Sequence, residues 1–363
     1  MINDESFGQI PIATISFFRQ NLLDWAIQNP RPMPWKGERD PYKIWLSEII
    51  LQQTRVEQGL PYYQKFVAQY PNVRYLADAP EDELMKLWEG LGYYARARHL
   101  HAAAKHIAYR LNGEFPHTYA EIRSLKGVGD YTAAAIASFA FGLPHAVLDG
   151  NVYRVLARFF GIESPTGTPA AQKQFAALAQ NLLDLERPAA HNQAMMDFGA
   201  TCCMPQQPRC PDCPFCSECR ALLMGKVAEL PWRAKGLVKK KRAFHYLIFN
   251  YRGDVFVRKR TGKDIWRGLW EFPQAPGPVQ VSPFGGGPVR VSAPLRQLLT
   301  HQEVTAVFYE IDLPDETPQE VFQNLLFEGC ERIARADLKK NIAFPKVIDR
   351  HLQSNALTLR PHF

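Results

Sequence analysis

Residues 125–151 read LKGVGDYTAAAIASFAFGLPHAVLDGN, and no other stretch restricts the fold so strongly. A helix ending at Leu125 meets Gly127-Val128-Gly129, and a second helix is expected from about Tyr131. Glycine admits close approaches that a Cβ forbids, and amides at the start of a helix attract anions. The hairpin with Lys126 before it therefore suits a DNA phosphate, although an ordinary tight helical turn uses the same residue types. Asp149 follows an apolar run and precedes Gly150, which presents a carboxylate at a sharp turn. The plainer use of such an Asp is to cap a helix.

A second carboxylate lies upstream. Asp40-Pro41 is a good helix start, an oxygen cap followed by proline. The helix that follows, YKIWLSEIILQQT, is apolar nearly all round, so it is buried. Glu48 sits in its middle, one turn from Ile44 and Leu51. A carboxyl group there loses hydration, its pKa rises, and it can hold a proton near neutral pH. A structural Glu paired with an arginine is the competing use. Glu48 and Asp149 have complementary needs, one keeping its proton and the other its charge, which suits cleavage through an oxocarbenium-like state. In DNA the target would be a flipped nucleotide. Gln52, Gln53 and Thr54 end the helix as a polar cluster able to meet base edges. Gly90-Leu91-Gly92-Tyr93-Tyr94, followed by Arg96 and Arg98, is a turn whose aromatics can stack or wedge in a duplex, with a core role open to one tyrosine. His99, His101 and His106 lie on a polar helix and are expected to face solvent.

Six of seven cysteines fall between Cys202 and Cys219. The start MINDESFGQI lacks the basic-then-apolar order of a signal peptide, so a cytoplasmic, nucleoid-associated, bacterial-type location is expected, and the cluster reads as a metal site rather than disulfides. Cys203, Cys210, Cys213 and Cys219 are separated by six, two and five residues. Pairing 210/213 with 216/219 is the alternative, but it leaves too short a spacer for a zinc site. Four thiolates wound into one compact loop fit a [4Fe–4S] cube better. No apolar run is long enough to span a bilayer.

The net charge of +7 is unevenly placed. Residues 1–224 carry 21 basic and 22 acidic side chains, whereas 226–242 carries seven basic against one acidic. That segment is either a solvated linker or a contact to a phosphate backbone. Beyond it the pattern changes from helical to alternating: strands are expected over 243–251, 255–260 and 303–313, a Gly/Pro-rich loop over 276–288, and a helix near 344–353.

Together, WLSEIILQQTRV, GLGYYARAR, LKGVGDYTAAAIAS, AVLDGNVYRVLAR and the Cys-x6-Cys-x2-Cys-x5-Cys loop resemble the MutY family of adenine DNA glycosylases. The resemblance implies a multidomain protein. An all-α helix-hairpin-helix glycosylase domain would occupy 1–224, with a six-helix barrel over about 30–147 and an iron–sulfur domain from 1–29 and 148–224. A basic linker, 225–242, offers a surface to other repair proteins and leads to an α+β Nudix-like domain, 243–363, that reads 8-oxoguanine. The implied reaction, by a monomer on double-stranded DNA, is removal of adenine mispaired with 8-oxoguanine or guanine. Glu48 would protonate adenine and help activate water, Asp149 would stabilise the sugar cation, and Tyr131 and Asn151 would line the site. Cys203, Cys210, Cys213 and Cys219 would bind the cluster. Gln53, Thr54, Leu91 and Tyr93 would contact or wedge around the lesion, Lys126, Gly127 and Gly129 the phosphate, and Thr300 and His301 the lesion. Trp35 and Lys36 match positions near the adenine pocket, where some members carry Arg in place of Lys36. The endonuclease III type carries a Schiff-base lysine where this chain has Tyr131, so a monofunctional enzyme is implied. The Nudix catalytic box does not follow Pro273, which argues against nucleotide hydrolysis.

Overall fold

The computed structural model describes residues 10–232, 238–280 and 289–358. Part of the basic segment, 233–237, and part of the Gly/Pro-rich loop, 281–288, lie outside the described residues. Two compact units emerge: Met1–Arg55, Tyr70–Arg74 and Ala102–Gly236 form one, and Val56–Gln69, Tyr75–His101 and Leu237–Phe363 the other. Packing thus divides the chain differently from a cut along its length, because an internal helical segment joins the C-terminal sheet.

The helices in chain order are α1 (Ile12–Gln28), α2 (Pro41–Leu51), α3 (Val56–Gln69), α4 (Val73–Asp78), α5 (Glu81–Leu87), α6 (Ala95–Arg110), α7 (Tyr119–Ser124), α8 (Asp130–Phe141), α9 (Gly150–Phe160), α10 (Pro169–Leu182), α11 (Pro188–Thr201) and α12 (Arg220–Leu223). In the first unit α2 starts as its sequence requires: Asp40 Oδ1 accepts from Tyr42 N at 2.9 Å, with Pro41 in the first turn. Such a cap contributes about 1 kcal/mol. Its apolar face packs on α8, while α1 packs on α11 and α9 on α11 and α12. At the centre of this core Phe215, which belongs to the cysteine loop, stacks on Phe18 with ring centres 4.7 Å apart and meets Phe159 and Phe198 edge-on. Phe215 is buried, so the loop is anchored by an aromatic plug worth about 3–5 kcal/mol on truncation.

The second unit is built on a mixed sheet: β1 (Lys240–Tyr251), β2 (Asp254–Lys259), β3 (Trp270–Glu271), β4 (Gln274–Ala275), β5 (Arg290–Val291), β6 (Leu295–Leu298), β7 (Gln302–Asp312) and β8 (Cys330–Ala334). Its central path runs β3-β2-β1-β7-β5. β1 and β7 pair in parallel from Lys240↔Gln302 to Asn250↔Asp312, and β6 turns back antiparallel on β7. Leu247, Phe249, Phe256, Tyr309 and Ile311 pack one face. Helices α13 (Leu338–Asn341) and α14 (Lys346–Thr358) follow, α14 resting on β6. The expected strands and final helix are therefore present, each displaced by a few residues.

One expectation is corrected. His101 is buried rather than solvent-facing, because the turn of α6 that carries it packs into the fold. The basic segment is structured at both described ends: Leu230 O accepts from Arg158 Nε at 3.1 Å, Trp232 O accepts from Thr166 N at 2.9 Å, and residues 240–242 lie in β1.

Candidate active site

Within the first unit, α2, α8 and the start of α9 bring three ionisable side chains together. Glu48 is 7 % exposed on the apolar helix. Burial, reinforced by the nearby Asp149 charge, pushes its carboxyl up to about 7, against the opposing pull of a hydrogen bond with Tyr131. Tyr131, in the first turn of α8, is raised well above the ordinary phenol range by burial and by both carboxylates. Its hydroxyl also lies 4.0 Å from Met196 Sδ. The tyrosine thus stands as a neutral bridge in an acidic pair.

Asp149 is the N-cap of α9, the plainer use foreseen for it, and it caps while keeping its place beside Glu48. Its Oδ1 accepts from Val152 N at 2.8 Å and its Oδ2 from Asn151 Nδ2 at 2.7 Å. Burial raises its pKa; the bonds from Val152 and Asn151 and the charge of Arg154 pull the other way. Glu48 has one opposing donor where Asp149 has several, so their protonation is split in the direction expected of an acid and a carboxylate.

Sequence reasoning missed what supports this pair. Arg154, buried on α9, donates to Asn151 Oδ1 at 2.9 Å, to Gly199 O at 2.6 Å and to Cys203 O at 2.7 Å. One guanidinium therefore ties the Asp149–Asn151 turn to the base of the cysteine loop. Arg158, one turn on, donates to Met204 O at 2.7 Å and lies 3.4 Å from Cys203 Sγ. Gly199 is required by close approach: a Cβ there would stand 2.6 Å from Asn151 Cβ. The signal for the arginines was their place on the apolar face of α9, which is ordinarily avoided by charges without partners.

Lys36 is committed to Asp197. Its Nζ meets Asp197 Oδ2 at 2.5 Å and Arg31 O at 2.5 Å, while Arg31 Nη1 reaches Asp197 Oδ1 at 3.3 Å. Trp35 beside it is half-buried. Asp197, an acid on the inward face of α11, went unnoticed in the sequence and is what holds this corner.

Around the hairpin, Gly127 has φ +82°, a conformation suited to glycine, and Gly129 is the extended N-cap of α8. A Cβ on Gly129 would meet no atom of the protein, and Lys126 is exposed. Gln53 is exposed with φ +53°, and Thr54 is half-buried. The cysteine loop places Cys203, Cys210, Cys213 and Cys219 in intermediate positions, Cys202 buried and Cys216 exposed. Among the described residues no three His, Cys, Asp or Glu side chains converge so as to hold a single metal ion.

The other expected contacts fall in the second unit. Leu91 is buried, whereas Tyr93 is 49 % exposed with φ +48°, so Tyr93 is the surface side chain of that turn. Its hydroxyl lies 2.8 Å from Thr300 Oγ1, and Arg96 covers its ring at 5.6 Å. Thr300 and His301 are exposed in the β6–β7 turn.

Residues 46–180 match the HhH-GPD superfamily of base excision DNA repair proteins, and residues 245–354 match the NUDIX domain. The chain is 38 % identical over 263 residues to the adenine DNA glycosylase of Buchnera aphidicola subsp. Baizongia pistaciae, covering 72 % of this chain and 74 % of the relative. It is 42 % identical over 219 residues to the human adenine DNA glycosylase, covering 58 % of this chain and 40 % of that one. A thermostable thymine-DNA glycosylase superposes with a TM-score of 0.55 at 30 % identity, over 58 % of this chain and 98 % of that structure. An endonuclease III–DNA complex, at 23 % identity and a TM-score of 0.50 over 58 % of this chain and 97 % of that one, shares the fold.

Proposed function

Because the chain belongs to the adenine DNA glycosylases of the HhH-GPD base excision repair superfamily, we propose that it removes adenine opposite 8-oxoguanine or guanine, with Glu48 as the proton donor and Asp149 as the partner of the sugar cation. The chain is an adenine DNA glycosylase, a hydrolase of N-glycosyl bonds, and DNA is its partner. It carries a Nudix-like domain, and no described helix is long and apolar enough to cross a membrane. The observation that carries the reading is the protonatable Glu48 held beside a hydrogen-bonded Asp149.

The chemistry follows from that split. A flipped adenine accepts the Glu48 proton on a ring nitrogen, which turns the base into a neutral leaving group. As the glycosidic bond stretches, positive charge develops on the sugar, and the Asp149 carboxylate, held by Val152 N and Asn151, opposes it with little reorganisation. Glu48, now deprotonated, can accept a proton from the attacking water. Tyr131 positions Glu48 and carries no amine, so the sugar is released without Schiff-base chemistry. Trp35 and Lys36, with Asp197 and Arg31, border the base; Lys126 and the glycines of the hairpin receive a phosphate.

Cys203, Cys210, Cys213 and Cys219 would hold a [4Fe–4S] cluster. A loop whose donors are four cysteine thiols suits iron–sulfur chemistry, for which thiolates are the usual ligands. The Arg158 guanidinium near Cys203 Sγ would balance thiolate charge. When bound, the cluster supplies loop-folding free energy rather than a step of base removal. The enzyme acts as a monomer.

One incubation tests this reading: duplexes carrying adenine opposite 8-oxoguanine, adenine opposite guanine, or thymine glycol. Alkali-dependent breakage confined to the adenine strand, fastest opposite 8-oxoguanine, is expected. Breakage at thymine glycol without alkali would overturn it in favour of a lyase.

A further inference from the structure

We infer that Glu89 is a positioning residue for recognition of the base opposite adenine, acting by fixing the Tyr93 turn to the C-terminal sheet. The inference rests on the reading that 8-oxoguanine is the preferred opposite base. Everything it uses lies within the second compact unit.

Glu89 directly precedes Gly90, Leu91, Gly92 and Tyr93, the turn that exposes the tyrosine. Each atom of Glu89 able to accept a hydrogen bond is used. Oε1 accepts from Phe344 N at 2.9 Å, Oε2 from Lys86 Nζ at 2.5 Å, and the main-chain oxygen from Tyr62 Oη at 2.7 Å. Lys86 Nζ also donates to Ile342 O at 3.1 Å. The segment at 342–344 is bound to the sheet's edge strand: Ala343 O accepts from Trp270 N at 3.0 Å, and the buried Phe344 ring stacks on Phe272. A buried main-chain N–H needs an acceptor, and Glu89 supplies it from the helical side.

From this anchor the turn has little freedom. Gly90, Gly92 and Tyr93 all have positive φ, and a Cβ on Gly90 would stand 2.6 Å from Tyr62 Oη. Trp88 Nε1 holds Gly92 O at 3.0 Å. At the far end of the same sheet the β6–β7 turn presents Thr300, whose Oγ1 meets Tyr93 Oη at 2.8 Å. The Tyr93–Thr300 pair is therefore closed by a loop of contacts running through Glu89, Phe344 and the sheet. A hydrogen bond between two exposed side chains is weak unless both ends are pre-set. Arg96 packs on the turn itself, covering the Tyr93 ring, whereas Glu89 is the charged residue that ties the turn's start to the 342–344 segment.

The test is the ratio of single-turnover rates opposite 8-oxoguanine and opposite guanine, in the full-length protein. Glu89→Ala is expected to lower this ratio about 5-fold, as loss of one net hydrogen bond would. Glu89→Gln, whose carbonyl can still accept from Phe344 N, is expected to restore most of it. In a Thr300→Ala background the Glu89→Ala effect should vanish, since the pair it positions is already gone. General destabilisation lowers the melting temperature without this non-additivity, so an unchanged ratio in Glu89→Ala sinks the inference while leaving the reading intact. If the parent enzyme itself shows no preference for 8-oxoguanine, the reading fails and the inference with it. Should Glu89→Ala not fold, Lys86→Met, which removes the bond to Ile342 O, carries the same expectations.

Discussion

The Glu48 site and the Tyr93–Thr300 pair solve opposite problems. Glu48 is 7 % exposed and Tyr93 is 49 % exposed. In the first place water is excluded, so every charge must be satisfied from within: Tyr131 for Glu48, Asn151 and Val152 for Asp149, Arg154 beneath them. In the second place water competes, so a single hydrogen bond is worth little unless the backbone that carries it is stiff. Chemistry is thus governed by burial and recognition by positioning, and the two should fail differently when altered.

Glu48→Gln should break the first region most severely. It removes the proton donor and should slow adenine release by about 10³-fold, within the range of general acid catalysis, while a gel-shift assay shows duplex binding nearly unchanged. Release at the parental rate would show that the acid lies elsewhere. Asp149→Asn keeps the cap to Val152 but removes the charge, and should cost about 10²-fold in single-turnover rate.

The same burial has a thermodynamic signature. The Glu48 carboxyl titrates at about 7 when folded and at 4.5 in the ordinary state, so between those values the folded protein keeps a proton the unfolded chain has released. Stability therefore falls as pH rises through this window, and the full cost applies above it. At pH 8, Glu48→Gln should be more stable than the parent by up to about 3 kcal/mol in urea titration, with the gain absent near pH 4. Gly199→Ala is milder: its Cβ would press on Asn151, costing about 1–3 kcal/mol of stability and slowing catalysis without changing opposite-base preference. Smallest is Thr300→Ala, which should lower only the preference for 8-oxoguanine over guanine, about 5-fold by competition kinetics.

The contrast also explains what the sequence could convey. Glu48 was legible because an acid on an all-apolar helix has few readings, and Asp149 because it follows an apolar run and precedes a glycine. The strands over β1, β2 and β7 were legible from alternation. Asp197 and Gly199 were not, since each acts through a partner more than forty residues away and nothing local marks it, while Arg154 was marked only by its place on the apolar face of α9. Phe215 looked like one apolar residue in a cysteine loop, and only packing shows it as the plug of the core. Helix α5 and the residues after it gave no sign of joining the C-terminal sheet, because the side chains that join them, Asp82 to Lys259 and Glu89 to the main-chain N–H of Phe344, are ordinary surface charges until paired.

The central claim is that Glu48 holds a proton near neutrality. Carbon-13 labelling of glutamate side chains, with Glu48 assigned by its absence in Glu48→Gln, gives its titration curve directly. A midpoint near 7 agrees with the account. A midpoint near the ordinary 4.5 would mean that burial does not protonate this group, and the acid–carboxylate division would be wrong.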